Sequence, residues 1–314
     1  MIYTVTLNPA IDETIEVARL EVNGVSEAQT LSRQAAGKGI NVSRALKTLG
    51  RESVPVVLLG NRDIPFFREE MAAAGLPWVS FSYEGEVRTS QTLVFGENGF
   101  NTHIRKPGSL PSGFDPQPVF RYLLEKAEKN DYVVFSGGLP AGLAKETYGE
   151  LIRALNGKGV LTILDTHGEA LAAGIAAAPF CLKINMDEFI DFAGEPEEDT
   201  RDFKGTLAAL HAGGISLVVI TMGREGAMLH DGEQFLFVRT RDKVKELEQR
   251  YSLGCGDVFL AALVNGFEEK LSLEECLKEA VATAAANTLL PGAARFNPRD
   301  RQRYLAVMEV KREL

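Results

Sequence analysis

The stretch Ser252-Leu253-Gly254-Cys255-Gly256-Asp257 runs directly into the apolar sequence Val258-Phe259-Leu260-Ala261-Ala262-Leu263-Val264. Two glycines around one small residue allow a tight turn whose N–H groups point outward where a helix starts, a place that favours an anion. A carboxylate at the mouth of that turn, Asp257, would reach both the cradled anion and a hydroxyl lying against it. Phosphoryl transfer to an alcohol needs this arrangement, with Asp257 as general base and the amides of Gly254, Cys255 and Gly256 stabilising the transferred group. The competing reading makes Asp257 an ordinary first-turn acid, favoured there by the helix dipole. A second cluster, Ala35-Ala36-Gly37-Lys38-Gly39-Ile40-Asn41-Val42, also opens a helical pattern, which runs to Leu49. It is not a P-loop, because that pattern requires Gly at Ser32 and Ser or Thr at Gly39. As a glycine turn, Gly37, Lys38, Gly39 and Asn41 offer backbone amides, an ammonium and a carboxamide to a polyol or its phosphate.

The elements that must position these residues follow a β-α-β rhythm. Residues 2–7 form a β-branched, aromatic run that stops at Asn8-Pro9 and reads as a buried strand. Asp12 follows at its carboxyl end, where open α/β sheets bind ligands, and is either an acceptor for sugar hydroxyls or a turn former. Strands are expected at 53–60, 78–81, 131–135, 160–164, 181–185 and 216–220. Helices are expected at 65–74, with Pro at its start, at 200–212, from the central turn to about 269, and at 272–289, capped by Ser272. Two segments break the rhythm with short polar alternation, near 10–33 and 85–106, the second carrying a hairpin turn at Glu97-Asn98-Gly99. They predict a small β lid. Glu195-Pro196-Glu197-Glu198-Asp199 reads as an acidic surface linker, and His230-Asp231-Gly232-Glu233 as a hairpin. The expected architecture is one α/β domain over 1–314: a doubly wound, mainly parallel sheet with helices on both faces, plus the lid.

Composition narrows the function. With 34 Lys+Arg against 43 Asp+Glu, the formal charge of −9 argues against a nucleic-acid partner and for a small anionic ligand held by local cations. The three cysteines, Cys181, Cys255 and Cys276, lack metal-ligand spacing and cannot all pair, which suits a reducing compartment. No basic, apolar leader pattern and no run long enough for a bilayer stands in the sequence, so the expectation is a cytoplasmic protein with no membrane partner.

Both glycine clusters, with the segments that follow, resemble the PfkB family of carbohydrate kinases, of ribokinase-like fold, over essentially the whole chain. The family's Gly-Ala-Gly-Asp turn carries its catalytic base; here Cys255 replaces Ala. Thr-Leu-Asn-Pro-Ala-Ile-Asp resembles the opening of the 1-phosphofructokinase and tagatose-6-phosphate kinase branch, which implies a substrate role for Asp12. The resemblance also implies that Arg88 contacts substrate phosphate, joined by a basic residue of the return strand, Arg105. His103 and Lys106 stand nearby without an assigned role, Lys106 where relatives carry an acid. Ser136-Gly137-Gly138-Leu139-Pro140 resembles the family's Ser-Gly-Ser-Leu-Pro turn and brings Ser136 into the substrate set. Asp165-Thr166-His167-Gly168-Glu169-Ala170-Leu171 resembles Asp-Thr-Ser-Gly-Glu-Ala-Leu, with His167 in place of Ser and no role assigned to it.

Asn185 and Glu188 keep the family's Asn-x-x-Glu pattern, with Ile184 for the usual Pro. One carboxylate cannot hold Mg²⁺ alone, so Glu188 is expected to organise metal-bound water; the same spacing also reads as a helix cap. Thr221, Gly223 and Gly226 match a Thr-x-Gly-x-x-Gly turn that lies along the nucleotide, and Asn287 is a candidate contact for adenine. The implied activity is transfer from ATP, with Mg²⁺, to a hexose phosphate, fructose 1-phosphate first and tagatose 6-phosphate second. A kinase of an unphosphorylated sugar or nucleoside, and a catalytically silent sugar-phosphate sensor, stand as alternatives. A dinucleotide dehydrogenase does not, because no Gly-x-Gly-x-x-Gly follows the first strand. The lid is also a candidate homodimer surface.

Overall fold

The computed structural model describes residues 1–21, 23–95, 100–193, 203–241, 251–290 and 292–313. The chain opens with β1 (Ile2–Thr6), β2 (Ala10–Val17), β3 (Ala28–Ala36), α1 (Lys38–Thr48), β4 (Val54–Gly60), α2 (Ile64–Ala73) and β5 (Val79–Tyr83). It continues through β6 (Arg88–Phe95), β7 (Phe100–Arg105), α3 (Gln117–Lys126), β8 (Tyr132–Ser136), α4 (Thr147–Asn156), β9 (Leu161–Asp165), α5 (Glu169–Ile175), β10 (Cys181–Asn185) and α6 (Met186–Ala193). The remainder is α7 (Phe203–Ala212), β11 (Leu217–Thr221), β12 (Ala227–His230), β13 (Phe235–Thr240), α8 (Cys255–Glu268), α9 (Leu273–Asn287), α10 (Pro298–Leu305) and β14 (Met308–Glu313).

The large sheet has the order β14-β13-β12-β11-β10-β9-β8-β1-β4-β5. Pairing is parallel from β11 to β5 and antiparallel through β12, β13 and β14. The strands after β1 build outward on one side, through β4 and β5, and the chain then returns to its other side as β8. That reversal is the topological switch point of an open α/β sheet, where the carboxyl ends of the strands leave a crevice for a ligand.

Successive residues of the central strands feed opposite cores, as the two-residue period of a strand buried on both faces requires. Tyr132 and Val134 pack with α1, α8, α9 and α10 on one face. Val133 and Phe135 pack with α3, α4, α5, α6 and α7 on the other. The fold expected from the sequence is thus the fold observed. Helix α9 starts at the expected cap, where the Ser272 hydroxyl accepts from Glu275 N–H and the Glu275 carboxylate accepts in return from Ser272 N–H at 3.0 Å. Such a capping box contributes about 1 kcal/mol.

The four-stranded second sheet, ordered β3-β2-β6-β7, rises from the same edge of the molecule as the crevice. Its β2–β6 pairing is parallel and its outer pairings are antiparallel. Ile11, Ala35 and Val87 anchor its base against α2. Farther out, most of β3 is exposed, including Leu31 at 59%, and so is Ile104 of β7 at 51%. The 97–99 turn, the 195–199 linker and the first residues of the helix expected at 200–212 lie outside the described residues. Among the described residues, no helix is long and apolar enough to cross a membrane.

Candidate active site

Four adjacent parallel strands end on polar side chains: β8 on Ser136, β9 on Asp165, β10 on Asn185 and β11 on Thr221. Register holds Ser136 beside Asp165 and Asn185 beside Thr221. Above them opens a cavity of about 1340 Å³, walled by Lys38 and Asn41 of α1, Gly254 and Asp257 at the start of α8, and the lid residues Asp12 and Arg88.

The turn before α8 is built as its sequence predicts. Gly254 is the N-cap in the left-handed region (φ 76°), and a Cβ there would lie 2.7 Å from the Ala294 nitrogen. Only glycine meets both demands. Ten consecutive residues of α8, Asp257 to Gly266, are buried. Val258, Phe259, Leu260 and Leu263 each stabilise that burial by roughly 1.5–3 kcal/mol, which offsets the cost of carrying a carboxylate inward. Asp257 is 5% exposed, and its Oδ2 accepts from Asn41 Nδ2 at 2.8 Å. Burial pushes its pKa up to about 6, with Asp165 adding to the rise while Lys38, Asn41 and Lys183 oppose it. A carboxylate poised there can take a proton near neutral pH.

The expected cradle of three amides contracts. Cys255 N–H turns back to the Ser252 carbonyl at 3.3 Å, and Cys255 lines a second cavity of about 370 Å³ instead of the main one. Gly254 and Gly256 remain on the main cavity wall. The glycines of the Lys38 turn divide similarly. Gly37, Lys38 and Asn41 line the cavity, but Gly39, expected to contact substrate, packs against β1, where a Cβ would lie 2.5 Å from Thr6 Oγ1 and 2.9 Å from the Val5 carbonyl oxygen.

Beneath the cavity floor, fully buried Asp165 accepts from two ammonium groups, Lys183 at 3.1 Å and Lys38 at 3.3 Å. Burial alone would raise the Asp165 pKa, but Lys183 and Lys38 outweigh it and hold the carboxyl below its usual range. Lys38 loses basicity to burial and regains more from Asp165, Asp257 and Glu188, so it stays charged. Sequence reasoning gave Asp165 and Lys183 no role. The available signal was a lysine in the otherwise apolar strand Cys181-Leu182-Lys183-Ile184, since a buried lysine demands a counter-charge.

The lid supplies further charged groups to the same cavity. Asp12 sits on β2, between Gln34 of β3 and Ser90 of β6, rather than in the loop after β1. Burial raises its pKa, while Arg88, Ser90 and Arg105 oppose the rise. Arg88 Nη1 donates to Ser90 Oγ at 3.1 Å, and its buried Nε has no partner. Arg105 faces Ser90 across the β6–β7 pair, so the lid brings Asp12, Arg88 and Arg105 together. The buried Ser136 hydroxyl, also without a partner, lies on the same cavity.

On the β10–β11 side, Asn185 and Glu188 cap each other: Glu188 N–H donates to Asn185 Oδ1 at 2.8 Å and Asn185 N–H donates to Glu188 Oε2 at 2.9 Å. Thr221 and Gly223 line both cavities, and Gly226 the smaller one. Asn287 reaches neither. It is fully buried, donates to the Leu253 carbonyl at 3.0 Å and Cys255 Sγ at 3.2 Å, and accepts from Arg295 N–H at 2.9 Å. Its carboxamide is a strut behind the turn and has no face left for adenine. Among the described residues, no group of three or more His, Cys, Asp or Glu could hold a metal ion. Glu188, with one oxygen committed to Asn185, suits Mg²⁺ bound mainly through phosphates and water.

Residues 5–300 match the family described as pfkB family carbohydrate kinase. A 1-phosphofructokinase from Xanthomonas campestris is 33% identical over 94% of this chain and 93% of its own length. A tagatose-6-phosphate kinase from Staphylococcus epidermidis is 26% identical over 92% of each. Among solved structures, phosphofructokinase-2 from Escherichia coli in complex with potassium is similar with a TM-score of 0.90, at 25% identity over 97% of this chain and 98% of that one.

Proposed function

Because the chain belongs to the pfkB family of carbohydrate kinases, a phosphotransferase to a hydroxyl group, we propose that it phosphorylates fructose 1-phosphate with ATP. The observation that carries the reading is Asp257, buried at the start of α8 on the wall of the cavity that Arg88 and Arg105 also line. A base and guanidinium groups lining one cavity fit a substrate with a reacting hydroxyl and a phosphate of its own.

In this reading Asp257 accepts the hydroxyl proton as the sugar oxygen bonds to the γ-phosphorus, and the bond to the β-phosphate oxygen breaks to release ADP. Asn41 holds the carboxylate in position. The amides of Gly254 and Gly256, with the Lys38 ammonium, offset charge growing on the transferred group. Asp12 accepts from sugar hydroxyls, Arg88 and Arg105 bind the sugar's phosphate, and Ser136 adds a hydroxyl to that end. Thr221, Gly223 and Gly226 border the nucleotide. Mg²⁺, when bound beside Glu188, neutralises phosphate charge. Residues 1–314 act as one kinase unit with the small sheet as lid, and the exposed Leu31 and Ile104 fit that lid for a second copy. Three free thiols suit the cytoplasm.

ADP release measured with fructose, fructose 1-phosphate, fructose 6-phosphate and tagatose 6-phosphate tests the reading. Highest kcat/KM on fructose 1-phosphate is expected. Preference for tagatose 6-phosphate would move the substrate within the branch, preference for fructose would remove the phosphosugar, and no release on any would favour a sensor.

A further inference from the structure

Four histidines occur in the sequence, and three have a partner for Nδ1: His103 the Thr92 hydroxyl, His211 the Ile215 carbonyl and His230 the Gln234 carbonyl. Among the described residues, His167 has no hydrogen bond, yet it stands on the wall of the main cavity. A Cβ built on Gly138 would lie 2.8 Å from His167 Cε1 and 3.0 Å from its Nε2. The imidazole therefore occupies the space a side chain at 138 would need. These are two positions where the sequence departs from the family's turns, Gly for Ser at 138 and His for Ser at 167, and the structure brings them into contact.

The surroundings place the ring near the cationic end. The 136–142 loop is tied to the segment after β7, with Ala141 N–H donating to the Gly108 carbonyl at 2.9 Å and Leu110 N–H to the Ala141 carbonyl at 2.8 Å. Gly108 in turn lies against Arg88, whose Cδ would be 3.4 Å from a Cβ there. On the other side, a Cβ at Gly137 would be 3.7 Å from Lys38 Cβ. His167 thus leans on a loop flanked by Arg88 and Lys38, and its nitrogens are uncommitted.

We propose that the His167 imidazole is a specificity-determining contact for the phosphate that the sugar already carries, donating an N–H to it from the space Gly138 leaves open. This rests on the phosphosugar reading above. An exposed loop residue with no internal partner can be replaced without disturbing the core, so binding is the effect to measure.

The experiment compares steady-state kinetics on fructose 1-phosphate and fructose for wild type, His167→Ala, His167→Asn, Gly138→Ser and the double variant Gly138→Ser/His167→Ser. His167→Ala is expected to raise KM for fructose 1-phosphate about tenfold, the scale of one hydrogen bond to a charged group, with little change in kcat or in KM for ATP. The kcat/KM ratio of fructose 1-phosphate to fructose should fall by the same factor. His167→Asn, which keeps an N–H donor, should recover part of the loss. Gly138→Ser alone should displace the ring and behave like His167→Ala, while the double variant relieves the clash and supplies hydroxyl donors. An unchanged KM, or equal losses on fructose and fructose 1-phosphate, would overturn the proposal while leaving the phosphosugar reading intact. Wild type that favours fructose overturns both.

Discussion

At the strand ends of the large sheet, charges find partners in the same molecule: Asp165 holds Lys183 and Lys38, and Asn41 holds Asp257, all from elements packed into two cores. On the lid, Asp12, Arg88 and Arg105 stand on a sheet with one face largely exposed, and Arg88 keeps an unpartnered nitrogen. The first region is organised before any ligand arrives. In the second, cations outnumber their internal partners among the described residues, as the proposed binding of a ligand's negative charge requires. The candidate base thus stands on the paired framework of the large sheet, and the lid carries the less fully paired charges.

The strongest way to break this contrast is Asp165→Ala, which leaves two ammonium groups, Lys183 only 4% exposed, without their carboxylate. A loss of about 3–5 kcal/mol in denaturant unfolding is expected. Wild-type stability would mean that the cluster does not hold the site together.

Asp257→Asn should lower kcat by at least about 10²-fold while making the protein more stable at neutral pH. A carboxyl raised from 3.8 to about 6 favours folding when protonated, and that contribution disappears as pH climbs through about 6. Removing the charge should therefore gain up to about 3 kcal/mol at pH 7.5 and little at pH 4, at 1.36 kcal/mol per unit. The new amide can also donate to Asn41 Oδ1, which has no partner. In wild type, kcat/KM should fall as pH drops below about 6. Near-normal turnover by the variant would remove Asp257 from the chemistry.

Arg88→Ala tests the lid. A loss of roughly 1.5–3 kcal/mol in kcat/KM for the phosphosugar is expected, carried by KM, with KM for ATP nearly unchanged. Equal effects on both substrates would erase the division of labour. The smallest effect belongs to Cys255→Ala, which should stay active because direct phosphoryl transfer needs no thiol nucleophile. Trapping of a phosphocysteine would contradict this.

Most of the fold was legible because its strands are local: runs such as Tyr132-Val133-Val134-Phe135 carry both faces in their own composition. β14 was not, since Met-Glu-Val-Lys-Arg-Glu is an edge strand whose charges read as solvent-exposed chain. Asp257 was legible because a carboxylate on a glycine turn is a local pattern. Asp165 and Lys183 were not, because their pairing depends on two strands meeting 18 residues apart. Gly39 and Asn287 were misread for the same reason. The partners that give them meaning, β1 for Gly39 and the turn at Leu253 and Cys255 for Asn287, are distant in sequence.

The clamp behind Gly254 bears on the order of synthesis. The turn is gripped from behind by Asn287 and Ala294, which leave the ribosome more than thirty residues after it has begun to emerge. Asp257 therefore gains the support that fixes its aim only once the residues through 294 are in place. A chain shortened before residue 287 is expected to lose that support, and ADP release with it.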